Sequence, residues 1–187
     1  MEAQVIGKSA VLLTGKSVNV VIDLDGEITD LSKYSPNLVI GGHDDAKKEA
    51  YQIVSPGEYE RSDVLVSAYQ KDVSQDNHRA DIFEADIENV NVCFVGRNVN
   101  EIPDSILDEM GVVNILFVFA EEVDLAKKIV NDIDPHIVVP MGVDEEGVKK
   151  FMTTIGLAGF ETENKLKAKQ EEFVGEEIPM RLVRLAK

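Results

Sequence analysis

The chain is 187 residues long, 44% apolar and 29% charged, which suits a soluble globular domain with a sizeable core. Its 19 basic and 35 acidic residues leave a net charge of −16 at pH 7, excluding nucleic acid and anionic membrane as default partners. The lone Cys93 cannot close an internal disulfide, no apolar run reaches the roughly 18 residues of a membrane span, and Met1-Glu2-Ala3-Gln4 lacks a signal peptide's basic start. A cytoplasmic protein, one domain over residues 1–187, is the expectation.

The first half reads as short strands. Val5-Ile6, Ala10–Leu13 and Val18–Ile22 are β-rich, with Gly15-Lys16 as a tight turn between the second and third. Asn37–Ile40 is a buried strand running into Gly41-Gly42, and Gln52–Val54 stops at the turn signal Ser55-Pro56-Gly57. Val64–Tyr69 follows, and Asp81–Ala85 pairs with Val90–Val95 as a hairpin. The second half changes period. Helices are predicted over Asp104–Met110, Val123–Asp132 and Glu145–Ile155, from apolar residues at helical spacing. Between them, Asn114–Phe119 and His136–Pro140 are nearly all apolar, as strands covered on both faces must be. Met180–Leu185 alternates and is expected as a closing edge strand. The expected architecture is α+β: a four-layer αββα sandwich of two mainly antiparallel sheets, helices outside.

Several segments, in order, carry a resemblance. Gly7-Lys8-Ser9-Ala10 before two strands ending at Ile22-Asp23-Leu24 resembles the opening of metallo-β-lactamase-fold hydrolases. Asn37–Asp44 resembles the strand delivering their His-x-His-x-Asp-His motif. Ser55–Glu60 and Asp134–Met141 are similar to segments of the ascorbate-6-phosphate lactonase-like branch. The resemblance spans almost the whole chain and implies a dinuclear metal site. It also implies self-association.

The departures fall on the ligands that the resemblance implies. The four positions of the first motif hold His43, Asp45, Lys47 and Lys48, and protonated lysines cannot bind a divalent cation. The third histidine falls at Gln70, the bridging aspartate at Arg97 and the last histidine at Gly142. His43 with Asp45 is two donors at most, fewer than a hydrolytic zinc needs. No catalytic residue, metal or other cofactor is therefore expected. Lys47, Lys48 and Arg97 become candidate pocket or anion-binding residues, with Asp23, Asp44 or Asp45 as their expected ion-pair partners.

The remaining constellations are weaker. His43, His78 and His136 have no ligand partner at useful spacing, and Cys93 sits between Val92 and Phe94 as a small core residue. Ser9 and Ser67 lack a convincing histidine partner. Gly41–Asp45 could cradle a phosphate with Lys47 and Lys48, although Asp44-Asp45 in a first helical turn disfavours an anion. Glu58, Glu60 and Asp63 read as a solvated acidic loop, and Lys165–Lys169 as a helix-like basic cluster cancelled by Glu171-Glu172. Three functional classes remain: a catalytically inactive module for protein interaction or assembly, a remodelled hydrolase, and a small-anion-binding regulatory domain. The first is preferred, because losses touch most motifs while the core pattern is intact.

Overall fold

The computed structural model describes residues 1–42, 50–71, 79–175 and 178–186. The strands are β1 (Glu2–Val5), β2 (Ala10–Thr14), β3 (Asn19–Asp23), β4 (Leu38–Gly41), β5 (Tyr51–Ile53), β6 (Gly57–Arg61), β7 (Val64–Tyr69), β8 (Ile82–Ile87) and β9 (Val90–Val95). Helix α1 (Asp104–Glu109) then alternates with β10 (Ile115–Phe119), α2 (Val123–Ile133), β11 (Ile137–Met141) and α3 (Glu145–Thr154). The chain closes with β12 (Glu161–Glu163), β13 (Leu166–Lys167) and β14 (Arg181–Leu185).

Two sheets form, in the orders β13-β1-β2-β3-β4-β5 and β12-β14-β11-β10-β9-β8-β7-β6. Stacked sheets with helices outside are as expected, but the sheets are mixed rather than mainly antiparallel. In the first, β3, β4 and β5 run parallel. In the second, β9, β10, β11, β14 and β12 do. For β9, β10 and β11 the helices between them impose this, because a crossover helix returns the chain to the same end of the sheet. The hairpins of the first half stay antiparallel. At the β8–β9 turn, Glu88 and Asn89 both take positive φ (59°), the left-handed pair that a two-residue hairpin favours.

The inner faces of the two sheets enclose one core, from Leu13, Ile22 and Ile40 on one side to Phe94, Phe117 and Val139 on the other. Phe94 and Phe117 stack with centroids 5.5 Å apart. A second core lies beneath the helices, where Ala126, Ile129, Val148 and Phe151 meet Cys93, Leu116 and Val138. Strands β10 and β11 are buried at every position, which explains their unbroken apolar runs. Among the described residues all three α-helices belong to the second sheet. The helix start read at Ala46–Ala50 falls mostly outside the described residues.

Three segments differ from the sequence reading. β14 is not an edge strand, because Glu161–Glu163 pairs along its outer side as β12. Glu58–Arg61 is edge strand β6 rather than an acidic loop. Within Lys165–Lys169, β13 pairs with β1, and Leu166 and Ala168 are buried while the lysines face out; a strand, not a helix, gives that alternation.

Candidate functional site

Parallel strands deliver their carboxyl ends to one edge of a sheet, and this decides where the site lies. β3 ends at Asp23 and leads to Asp25, β9 leads through Gly96 to Arg97, β10 leads to Glu121, and β11 ends at Met141 before Gly142. The backbone N–H of Gly96 bonds Asp81 O at 2.8 Å, which fixes the turn carrying Arg97.

Arg97 stands at the centre. Its Nε donates to Asp25 Oδ2 at 3.1 Å and its Nη1 to Glu121 Oε1, while the guanidinium carbon lies 3.9 Å from the centroid of Phe119. Burial works against the charge, but hydrogen bonds and charge from Glu121 and Asp25 outweigh it and raise the pKa further. The pair thus ties a loop of the first sheet to one of the second through a planar donor that matches carboxylate geometry. Asp23, the expected partner, is elsewhere engaged. Its Oδ1 accepts from Glu27 N at 3.0 Å and its Oδ2 from Ile28 N at 2.8 Å, which shapes the loop holding Asp25. Burial raises the Asp23 pKa against these bonds.

Gly142 has φ +77°, and a Cβ there would fall 2.2 Å from Glu121 Oε1. The volume that a side chain at 142 would occupy therefore holds the Glu121 carboxylate. Gln70 follows β7 and is half-buried. Arg79, absent from the sequence reading, donates from Nη2 to Gly42 O beside the end of β4. His43, Asp44, Asp45, Lys47, Lys48 and His78 lie outside the described residues, so their placement with Arg97 is not described. Of the sequence candidates, the structure brings Arg97 and Gly142 together around Glu121. Asp25 and Glu121 were not among the sequence candidates.

A cleft of about 650 Å³ opens beside this group, lined by Lys8, Arg97, Glu121, Gly142, Asp144 and Arg184 among others. Asp144 caps α3, its Oδ1 accepting from Gly147 N at 2.9 Å. Among the described residues no three His, Cys, Asp or Glu side chains group as metal ligands. At Arg97 and Gly142, a guanidinium and a glycine offer no side-chain donor for the metals that the resemblance implies. Cys93 is fully buried, and burial, then the charge of Glu84, pushes its thiol well up and disfavours the thiolate. Among the described residues the buried Ser9 hydroxyl has no hydrogen-bond partner. His136 lies away from the cleft, stacked on Phe173 at 5.5 Å and 3.3 Å from Asn114 Nδ2.

A metallo-β-lactamase superfamily protein from Thermotoga maritima superposes over 98% of this chain and 97% of its own, with a TM-score of 0.74 at 16% identity. The fold is that of the metallo-β-lactamases. A metallo hydrolase from Ignicoccus hospitalis matches 82% of the chain and 89% of its own length (TM-score 0.60, 12% identity). The metallo-β-lactamase fold protein YhfI from Bacillus subtilis matches 100% and 96% (TM-score 0.58, 10% identity). No family model and no curated protein matches the chain. No helix among the described residues is long and apolar enough to cross a membrane.

Proposed function

We propose that this chain is a catalytically inactive protein of metallo-β-lactamase fold, nearest the ascorbate-6-phosphate lactonase-like branch, that serves in the cytoplasm as a protein-interaction or assembly module. One observation carries the reading: Arg97, at the position where the resemblance places the bridging aspartate, sits between Asp25 and Glu121. A fixed positive charge there takes up the carboxylates that a cation would need. The Glu121 carboxylate in turn fills the side-chain space of Gly142, where the resemblance places a histidine. Both changes leave Arg97 paired with carboxylates at these strand ends. The intact cores supply a rigid scaffold, and a homo-oligomer is the assembly that the resemblance implies.

The test is sedimentation of the purified chain together with hydrolase assays before and after incubation with zinc, iron and manganese. Concentration-dependent association, or capture of a defined partner, with no metal-dependent turnover is the expected result. Metal-restored hydrolysis would instead establish the remodelled hydrolase.

A further inference from the structure

The outer face of the second sheet is covered unevenly. Helices α2 and α3 pack over its β9–β11 half, where Cys93, Leu116 and Val138 lie beneath them. Toward β7 and β6 the cover ends, and Leu65 is left 57% exposed beside exposed Glu58 and Glu60. The register sets Glu58, Ser67 and Glu84 in one row across the strands and Glu60, Leu65 and Asp86 in the next, all on this face. Glu58, Glu84, Asp86 and, from the end of α1, Glu109 line a concavity of about 350 Å³ with Leu65 and Tyr69, and no lysine or arginine lines it among the described residues. Nor does any of the four make an ion pair among the described residues. Glu84 is only 6% exposed, yet its oxygens meet neutral donors alone, Tyr69 Oη at 3.0 Å and Asn91 Nδ2 at 2.8 Å. A glutamate so buried ordinarily has a cation beside it. Like charges on neighbouring positions of a sheet face also repel, so this face gains when a cation arrives.

We infer that this face is a docking surface for a basic segment of a partner protein, whose arginine or lysine heads enter the concavity among Glu58, Glu84, Asp86 and Glu109. The inference rests on the protein-interaction reading above and gives the partner's chemistry. Exposed Leu65, at the middle of the acidic face, suits the long apolar stems of those side chains, which a small inorganic cation lacks. A second copy would bring the same excess of acid, since each chain carries a net charge of −16.

The experiment titrates a dye-labelled hexa-arginine peptide with the full chain, read by fluorescence anisotropy at about 0.15 M salt, where long-range attraction is screened. Saturable binding is expected in the wild type, weakened about tenfold or more in the triple variant Glu58→Gln, Asp86→Asn, Glu109→Gln. Leu65→Lys, at an exposed position, should give a similar loss without removing a carboxylate. A control triple, Glu122→Gln, Asp132→Asn, Glu146→Gln, removes as much charge from exposed positions on or beside α2 and α3 and should bind as the wild type does. No saturable binding, or equal losses in the two triples, would overturn the docking surface and leave the inactive-scaffold reading standing. Displacement of the peptide by stoichiometric calcium would make the concavity a cation site, and loss of self-association in the first triple would make the occupant a second copy. Either result overturns the basic-segment assignment. Metal-restored hydrolysis with peptide binding intact would overturn the inactive reading and leave the docking surface.

Discussion

The carboxylate of Glu121 lies where the side chain of residue 142 would stand: a Cβ on Gly142 would be 2.2 Å from Oε1 and 2.6 Å from Oε2. The same carboxylate is held by Arg97. Gly142 must therefore supply both a positive φ, +77°, and empty space. Gly142→Ala should cost about 1–3 kcal/mol, combining left-handed backbone strain with displacement of Glu121. Pairing it with Glu121→Ala should recover the steric part, so a double-mutant cycle by urea unfolding should show a coupling of about 0.5 kcal/mol or more. Strict additivity would mean that Glu121 swings aside freely.

Arg97→Ala should lower stability by about 1–2 kcal/mol. The Arg97 side chain is 34% exposed, and its partners Asp25 and Glu121 are 46% and 40% exposed, so solvent screens both pairs. That places each pair near the surface range of about 0–1 kcal/mol, with the Phe119 contact adding about 0.5–1. At this exposure the penalty of about 3–5 kcal/mol for breaking a buried pair does not apply. Arg97→Lys should not recover the loss, because an ammonium cannot span two carboxylates while lying flat on a ring. A loss for Arg97→Ala below about 0.5 kcal/mol in chemical denaturation would remove Arg97 from any clamping role.

The Tyr69 hydroxyl donates to Glu84 Oε2 at 3.0 Å, and burial, followed by the Glu84 charge, pushes its pKa from 10.0 up to about 12. A raised folded pKa favours the protonated form. Tyr69 thus contributes stability that is whole below 10.0 and lost as pH rises toward about 12. Phenolate absorbance should show a step near 12 that Tyr69→Phe abolishes. An unchanged titration curve in the variant would contradict the Tyr69–Glu84 bond.

Much of this was legible in residues that are buried on both faces. Asn114–Phe119 and His136–Pro140 announce central strands because neither face tolerates a polar side chain, apart from the ends. β6 was not legible: Glu58, Glu60 and Arg61 lie exposed on an edge strand, where backbone pairing with β7 decides the structure and side chains leave little trace. The parallel direction of β3 and β4 was hidden for a similar reason, since strand polarity depends on the connection rather than on the run itself. At the site, Arg97 could be singled out from its place in the order of motifs. Its partners could not, because Asp25 and Glu121 lie 72 and 24 residues away, and only folding brings them within reach.

The most direct test is the metal content of the chain, measured by elemental analysis after purification without chelator and again after dialysis against zinc, iron or manganese. With Arg97 between Asp25 and Glu121, and Gly142 offering no donor, the content should stay far below one equivalent, and chelator should leave the melting temperature unchanged. One or two tightly held equivalents, with a melting temperature that falls on chelation, would contradict the account.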